Sequence, residues 1–271
     1  MKRYLSILLA LALVFSMLFM AACGGDSSSD SSSDGAKSEG DTFIVGFDAE
    51  FPPYGYKDDS GEYVGFDLDL AQEVCNRNGW EYQAQPIDWD SKDMELTSGT
   101  IDCIWNGFTM NGREDQYTFS DPYVDNTQVI VVKADSGISK LTDLAGKMVA
   151  VQTDSSAEAC LADAQKELAE TFKGLDVEKD YNTCFLNLES GAVDAVAMDV
   201  GVANYQLEQR GDAYVILDET LSSEQYGVGF KLGNEALRDQ VQATLDEMME
   251  DGTFQEIAEK WGLQDMVIVK E

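Results

Sequence analysis

The sequence predicts an α/β protein made of two similar lobes, each built on a parallel-rich sheet and joined by a two-strand hinge. Short apolar strands alternate with amphipathic helices, an order typical of parallel sheets. One phrase occurs twice, at 96–104 and 188–196, and in both copies a predicted helix ends at glycine and a β-branched strand follows. The last two predicted helices lie far along the chain from the second lobe's start, so we expect them to pack on the first lobe.

The first half of the chain is expected to begin with a strand at Thr42–Asp48 that ends in a carboxylate. A helix follows through Asn78, with Asp67 as its N-cap and apolar residues at helical spacing. The later elements are a strand at Tyr82–Ile87, a short helix at Trp89–Leu96 and a strand at Ile101–Trp105, with Trp105 in the core.

The second half repeats this order and then returns to the first. Strand Met148–Val151 leads into a helix from Asp154 to Glu170. The elements that follow are a strand at Val177–Tyr181, a helix at Cys184–Glu189, a strand at Val193–Met198 and helices at Asn234–Glu250 and Thr253–Trp261. Segments 121–132 and 222–230 connect the halves. The expected lobes are therefore 41–124 together with 225–271, and 125–224.

The N-terminus is typical of an export signal. Lys2 and Arg3 precede an apolar run from Tyr4 to Met20, and small residues with Cys23 stand at the expected cleavage point. This stretch resembles a bacterial lipobox, so residues 1–22 are interpreted as a lipoprotein signal peptide. Because the apolar run is near spanning length, a transmembrane helix is the alternative.

Residues 23–40 are expected to form a flexible linker. They are rich in Ser, Asp and Gly and contain too few apolar residues to bury a core. With acyl chains such as palmitate on Cys23, the linker would tether the domain to the outer face of the cell membrane.

Composition excludes several classes of function. The net charge of −33 disfavours nucleic-acid binding, because phosphate backbones would be repelled. The chain has no histidine, which excludes Ser-His-Asp and Cys-His triads and the H-E-x-x-H zinc site. We expect no metal, no cofactor and no catalytic residue, although acid–base chemistry by carboxylates alone remains open.

Four of the five cysteines remain once Cys23 is assigned to the lipid. An even number in an exported protein allows one or two disulfides, and buried free thiols are the alternative. If disulfides form, the pairs expected are Cys75 with Cys103 and Cys160 with Cys184.

A series of motifs between Phe43 and Gly262 resembles the extracellular solute-binding proteins of polar amino-acid ABC importers, bacterial solute-binding protein family 3. The motifs are Phe51-Pro52-Pro53-Tyr54, Gly65-Phe66-Asp67-Leu68-Asp69-Leu70-Ala71, Ser98-Gly99-x-Ile101-Asp102, Arg113 ahead of Phe119-Ser120-Asp121-Pro122-Tyr123, Ser190-Gly191-x-Val193-Asp194-Ala195, Tyr226-Gly227, and Asp251-Gly252-Thr253 before Lys260-Trp261-Gly262. The resemblance implies a fold of the periplasmic-binding-protein type II. It also implies a monomer that captures a free amino acid by hinge closure and delivers it to a permease.

The resemblance implies that Arg113 binds the ligand carboxylate, since a guanidinium matches a carboxylate with two parallel hydrogen bonds. Thr109 and the amides of Ser155 and Ser156 would add donors. The family often has one residue more between this Thr and the Arg. Here Gly112 is expected to supply a tight turn that still presents Arg113.

The resemblance also implies that Asp199, with the Gly107 carbonyl, receives the ligand ammonium. Asp48 would face the ligand side chain. Other residues would form the walls of the pocket: Phe51 and Trp89, which sandwich the aliphatic stem, and Asn106 and Gln152.

The ligand expected from these residues is a polar or basic amino acid, such as arginine, lysine, ornithine or glutamine. Asp48 and Glu50 have no cationic neighbour in sequence, so aspartate and glutamate are disfavoured. An alternative function is a carboxylate-dependent lyase similar to cyclohexadienyl dehydratases, with Glu50 as the extra acid. A ligand-sensing domain is a third possibility, disfavoured because no further domain follows Glu271.

Overall fold

Two mixed sheets form the framework of the computed structural model, which describes residues 35–268. In spatial order the first sheet contains β5 (Glu81–Pro86), β1 (Thr42–Phe47), β6 (Cys103–Ile104), β14 (Gly229–Lys231) and β7 (Tyr117–Phe119). Strand β1 runs parallel to β5 and β6, whereas β14 runs antiparallel to β6 and β7. The predicted signal peptide and Cys23 lie outside the described residues.

The second sheet has the same parallel centre. Its strands in spatial order are β10 (Gly174–Glu178), β9 (Met148–Gln152), β11 (Ala195–Asp199), β8 (Val124–Lys133) and β12 (Tyr214–Ile216), and β13 (Ser222–Tyr226) also pairs with β8. Strands β10, β9 and β11 are parallel, and β8 is antiparallel to its neighbours. A small third sheet contains β2 (Glu50–Phe51), β3 (Gly55–Lys57) and β4 (Tyr63–Val64).

The described helices cover both sheets. They are α1 (Phe66–Asn78), α2 (Lys92–Ser98), α3 (Ser156–Ala162), α4 (Lys166–Ala169), α5 (Tyr181–Ser190), α6 (Val200–Arg210), α7 (Glu235–Asp251) and α8 (Thr253–Lys260). Helices α7 and α8 pack on α1, as the sequence predicts, and Arg77 of α1 pairs with Asp251 at 2.7 Å. Trp105 is fully buried in the core, as expected.

The repeated phrase folds in the same way in both halves. Helices α2 and α5 end at Gly99 and Gly191, and each glycine has φ 79° and ψ 18°, a left-handed cap that glycine adopts without strain. The aspartates that follow, Asp102 and Asp194, each accept a hydrogen bond from a backbone N–H of the neighbouring parallel strand, at 2.7 and 2.8 Å. Two copies of one local sequence therefore anchor two equivalent βαβ units.

The chain passes between the sheets along β8 and β13, which pair with each other. Their antiparallel register places Glu224 opposite Asn126 and Ser222 opposite Gln128. On its other side β8 pairs with β11, and this register places Gln128 opposite Asp199. Polar side chains of three strands therefore meet where the two sheets join.

The structure corrects three local predictions. The helix expected from Asp154 to Glu170 is broken into α3 and α4, and Gln165 at the break donates to the Leu221 carbonyl at 2.8 Å. The strand expected at Val177–Tyr181 is β10 at Gly174–Glu178, because Asp180 caps α5 by accepting the Thr183 N–H at 2.7 Å. Asp67 does not cap α1, because the N-cap is Gly65 and Asp67 is buried.

The four cysteines of the described chain are free thiols. Cys75, Cys103 and Cys184 are buried, and Cys160 is half-buried. The end of the predicted linker contacts the domain, since Lys37 lies 2.9 Å from Asp102 and its N–H donates to Gln240. Within residues 35–268, no helix combines the length and the apolar character that a membrane span requires.

Candidate functional site

A small cavity lies where the two sheets meet. Its walls are formed by Phe51, Trp89, Asn106, Gly107, Thr109, Arg113, Gln152, Ser155, Ser156 and Asp199. All of these residues were selected from the sequence as candidate ligand contacts. Asp48 is the one selected residue outside these walls, and it lines a neighbouring acidic cleft instead.

Asp199 ends β11 and is held by donors on both sides. Its Oδ1 accepts hydrogen bonds from Asn126 at 2.8 Å, Gln128 at 2.7 Å and the Tyr226 hydroxyl at 2.6 Å. In the described chain Oδ2 has only the Tyr181 hydroxyl, at 3.5 Å, a long contact. This second oxygen is therefore the acceptor that a ligand could use.

Burial and, after it, the nearby charge of Glu224 raise the pKa of Asp199 to about 7 against the lowering effect of its donors. A buried carboxylate is costly when ionised unless a proton or a cation compensates it. A ligand ammonium next to Oδ2 would supply that compensation.

Glu224 is a second buried carboxylate at the site, and the sequence reasoning missed it. It accepts hydrogen bonds from Thr109 at 2.9 Å, from Asn126 at 2.8 Å, from Gln128 at 2.7 Å and from the Ser156 hydroxyl. The Thr109 hydroxyl, expected as a donor to a ligand carboxylate, donates to Glu224 in this structure.

A sequence signal for this cluster does exist. Asn126 and Gln128 occupy alternate positions in β8, just before its apolar run at 129–132, and Glu224 and Tyr226 alternate in β13. Alternation at a spacing of two places each pair on one face of its strand.

Arg113 is presented by the turn that the sequence predicts. Gly112 adopts φ 79°, and the Arg113 N–H donates to the Met110 carbonyl at 2.9 Å. The guanidinium lies 5.0 Å from the Phe108 ring centroid and donates to the Thr109 carbonyl at 3.1 Å. The hydrogen bond to the Thr109 carbonyl uses one of the five N–H donors of the guanidinium. Among residues 35–268 the guanidinium forms no ion pair, so its remaining donors can bind an anion.

Gly107 is held in a conformation that few other residues adopt. Its φ is 56°, and a Cβ there would lie 2.9 Å from the Phe51 ring. Its N–H donates at 2.5 Å to Asp67, which also accepts from the Tyr123 hydroxyl at 2.9 Å. Burial raises the pKa of Asp67 to about 7. Asp67, expected to cap α1, instead fixes the backbone of the cavity wall.

Asp48 and Gln152 join the two sheets beside the cavity. The Gln152 amide donates to Asp48 at 2.6 Å and to the Lys179 carbonyl at 3.1 Å. Burial raises the pKa of Asp48 to about 6, against the lowering effect of its hydrogen bonds. The acidic cleft beyond this contact is lined by Asp48, Glu50, Asp88, Asp90, Asp180 and Lys179, among others.

A second contact between the sheets is an ion pair. Lys92 at the start of α2 is 2 % exposed and contacts Asp154, the residue that follows β9 and Thr153. Asp154 has a φ of 54°, unusual for a residue other than glycine. The Lys92 ammonium also lies 5.1 Å from the Trp89 ring centroid. The ion pair therefore links the wall that contains Trp89, on the side of the first sheet, to Asp154 on the side of the second sheet.

The charges of the cavity suit a zwitterion rather than a metal. No group of three or more potential metal-ligating side chains occurs in the part of the chain that the structure describes. Arg113 and Asp199 carry opposite charges on the walls of one small cavity. These charges match those of a small molecule that carries both an anionic and a cationic group.

Residues 43–264 match the family model described as bacterial extracellular solute-binding proteins, family 3. The chain is 32% identical to the L-cystine-binding protein TcyJ of Escherichia coli, over 81% of this chain and 82% of that protein. It is 31% identical to the arginine-binding extracellular protein ArtP of Bacillus subtilis, over 96% and 98%.

A solved structure agrees with these relatives. An ABC uptake transporter substrate-binding protein from Streptococcus pneumoniae, with bound histidine, is 35% identical and covers 83% of this chain and 94% of its own, with a TM-score of 0.80. These proteins are named as binding proteins rather than enzymes, which disfavours the lyase alternative. The chain belongs to the bacterial extracellular solute-binding proteins of family 3 and has their α/β fold of the periplasmic-binding-protein type.

Proposed function

We propose that this protein captures a free amino acid with a polar or basic side chain and delivers it, as a monomer, to the permease of an ABC importer. The observation that carries the proposal is the presence of Arg113 and Asp199 on the walls of one cavity. The guanidinium matches the ligand carboxylate, and Asp199 matches the ammonium. An amino acid held at both ends remains intact, which favours binding over catalysis.

Each charged group has capacity left for a ligand. In the described chain the guanidinium of Arg113 uses only its contact with the Thr109 carbonyl. Asp199 has one oxygen with a single long contact, at 3.5 Å. Gly107 lines the same cavity, and its N–H is held by Asp67. Helix α3 has seven residues, so the amides of Ser155 and Ser156 are weaker candidates than Arg113.

The side-chain preference follows from charge and shape. Phe51 and Trp89 supply apolar walls for an aliphatic stem. Beyond them Asp48 opens to the acidic cleft, where a cationic or hydrogen-bond-donating end is favoured and a carboxylate is repelled. The relatives named for cystine, arginine and histidine agree with a polar ligand.

A thermal-shift screen of the common L-amino acids, with L-ornithine and L-cystine, tests this function. A ligand at about 100 times its dissociation constant adds about 2.7 kcal/mol to the free energy of unfolding. We expect selective stabilisation by one or more polar or basic amino acids. Stabilisation by none of them, by glutamate alone, or by large aliphatic residues alone would contradict the proposal.

Ligand capture is proposed to close the two sheets over the cavity. Three contacts join the sheets across it, namely Gln152 with Asp48, Lys92 with Asp154 and Asn182 with Glu50. The connections along β8 and β13 provide a hinge. Because the cavity walls come from both sheets, only the closed state is complementary to the ligand, and ligand shifts the population towards it.

We expect the radius of gyration measured by small-angle scattering to decrease when a stabilising amino acid saturates the protein. The same measurement on Arg113→Ala, with that amino acid at the same concentration, is the control, and its radius should not change. An unchanged radius for the wild-type protein at saturation would contradict closure by the ligand.

Attachment to the membrane is proposed to depend on a lipid at Cys23. Several acyl chains anchor a protein firmly, whereas one binds only weakly. In Cys23→Ala we expect the protein to lose membrane association or to remain unprocessed, as measured by cell fractionation and mass spectrometry. Cys160→Ala is the matched control. A Cys23→Ala protein that matures and fractionates like the wild type would contradict the anchor.

A further inference from the structure

Asp199 and Glu224 form a pair of buried carboxylates with the same two donors between them. The amide nitrogen of Asn126 lies 2.8 Å from Asp199 Oδ1 and 2.8 Å from Glu224 Oε1. The amide nitrogen of Gln128 lies 2.7 Å from each of these same two oxygens. The two carboxylates are therefore bridged twice, each time by one amide nitrogen that is hydrogen-bonded to both.

This geometry follows from the register of three strands. Strand β8 is central, with Asp199 of β11 opposite Gln128 on one side and Glu224 of β13 opposite Asn126 on the other. The two acids are consequently fixed by the sheet rather than by flexible loops. The pairing of β8 with β13 is also the connection between the two halves of the cavity.

The cluster lacks positive charge. The hydrogen bonds to the two carboxylates come from neutral amides and hydroxyls, and no Lys or Arg of residues 35–268 pairs with either acid. The Asn126 and Gln128 amide oxygens are buried without a hydrogen-bond partner, since both amides turn their nitrogens to the acids. Two adjacent buried carboxylates cannot both ionise cheaply unless a cation lies beside them.

We propose that Asp199 and Glu224 act as one two-carboxylate receptor for the ammonium of the ligand, so that Glu224 is a specificity-determining residue and the ammonium displaces a proton held by the pair. This inference rests on the proposed function. The ammonium contacts Asp199 at the cavity wall, and Glu224 supplies the second negative charge from behind the two amides. The displaced proton passes to the buffer.

The position of Glu224 supports this role. It lines the outer cleft next to the cavity, and its hydrogen bonds reach Thr109 and Ser156, which lie on the cavity wall. Its charge is one cause of the raised pKa of Asp199, after burial. At neutral pH Asp199 in the empty site therefore retains a proton for part of the time, and an ammonium group competes with that proton.

The phenols and the thiol near the pair do not account for such a proton. Burial holds the pKa values of the Tyr54, Tyr181 and Tyr226 phenols well above their ordinary range, and it also raises the pKa of the Cys160 thiol. The charged groups facing the pair from the cavity and outer cleft are Arg113, Asp154, Glu158 and Asp163. Two other carboxyl groups near the cavity can also release a proton near neutral pH. They are Asp48, across Gln152, with a pKa of about 6, and Asp67, bonded to Gly107, with a pKa of about 7.

Glu224→Gln tests the inference with little change of shape. The Gln oxygen can accept the bonds from Thr109, Asn126 and Gln128, and its amide can donate to the Ser156 hydroxyl. Calorimetric titrations with the amino acids that stabilise the wild type are performed between pH 6 and 8, in phosphate and in Tris. The difference in heat between the buffers gives the number of protons released.

For the wild type we expect release of a fraction of a proton near pH 7 and an affinity that rises several-fold from pH 6 to 8. For Glu224→Gln we expect an affinity weaker by roughly tenfold at pH 8, a flatter pH profile and less proton release. Asp48→Asn should retain the release, and Glu250→Gln, an exposed acid on α7, should match the wild type.

If Glu224→Gln keeps the wild-type proton release and pH profile, the inference is overturned and Glu224 only orders the hydroxyls of Thr109 and Ser156. Loss of release in Asp48→Asn, with release retained in Glu224→Gln, would assign the proton to Asp48 and overturn it too. If no amino acid binds the wild-type protein, the proposed function itself fails. Binding without proton release overturns only the inference.

Discussion

Replacement of Arg113 by alanine is expected to weaken binding of a free amino acid by roughly 10²–10⁴-fold. The change removes one partner of a desolvated charge pair and leaves the ligand carboxylate uncompensated, at a cost of about 3–5 kcal/mol. The fold should persist, because Arg113 lies on a loop, with its guanidinium near Phe108 and hydrogen-bonded to the Thr109 carbonyl. Calorimetry measures the affinity, and circular dichroism measures the fold.

Two variants make this result specific. Arg113→Lys keeps the charge but loses the planar fork, so its affinity should fall between those of the wild type and Arg113→Ala. Arg210→Ala removes a guanidinium that lies at the end of α6, outside the cavity, and should bind like the wild type. Unchanged affinity in Arg113→Ala would remove Arg113 from the site.

Asp199→Asn is expected to change stability and affinity in opposite directions. The folded-state pKa of Asp199 is about 7, above its unfolded value of 3.8. Between these values the folded protein binds more protons than the unfolded chain, so this group's contribution to stability falls as pH rises through the window. Above pH 7 the buried, ionised carboxylate of Asp199 lowers the free energy of unfolding by its largest amount. Replacement by asparagine removes this destabilising charge.

At pH 8 the ligand-free variant should therefore unfold at a higher temperature than the wild type. Its free energy of unfolding should be higher by an amount on the order of a few kcal/mol. The Asn oxygen can still accept the bonds from Asn126, Gln128 and Tyr226. Its affinity for the ligand should nevertheless fall by roughly 10- to 100-fold, because a charge-assisted hydrogen bond to the ammonium is lost.

Thermal unfolding at pH 4 and at pH 8 tests whether the ionised carboxylate is the cause. The stabilising effect of Asp199→Asn should disappear near pH 4, where Asp199 is protonated in the folded protein. A variant that is less stable than the wild type at pH 8 would show that the carboxylate stabilises the empty site. Full retention of affinity would exclude Asp199 as the partner of the ammonium.

The residues of the cavity wall could be recognised from the sequence where each stands at a local signal. Asp199 ends an apolar strand, Gly107 follows the third strand of the first half, and Gln152 ends another strand. Loops after parallel strands meet at one edge of a sheet, so local reasoning brings these positions together, whereas Arg113 was assigned from the family resemblance. The order of most strands and helices was predicted for the same reason. Helix α6, strand β12 and the small third sheet were not predicted, the ends of several elements shift, and the helix expected from Asp154 to Glu170 is broken between α3 and α4.

The second acid could not be found in this way. Glu224 becomes part of the site only because β13 pairs with β8, almost a hundred positions earlier, in a register that places it opposite Asn126. The alternation of Glu224 with Tyr226 places both on one face of β13, but only the pairing with β8 shows that this face is part of the site. The role of Asp67 was missed for a related reason, because its position near the start of α1 suggests a cap, whereas tertiary packing turns it towards Gly107.

Recognition of a zwitterion at both ends is the central claim, and calorimetric titration with matched derivatives tests it most directly. The protein is titrated with L-arginine, L-lysine, L-ornithine, L-glutamine, L-histidine and L-cystine, and with the methyl ester and the N-acetyl form of each. We predict saturable one-site binding of at least one free amino acid. The ester removes the charge that Arg113 receives, and acetylation removes the charge that Asp199 receives, so both derivatives should bind at least roughly 10²-fold more weakly. Binding of either derivative as tightly as the free amino acid, or binding of none of the free amino acids, would contradict the account.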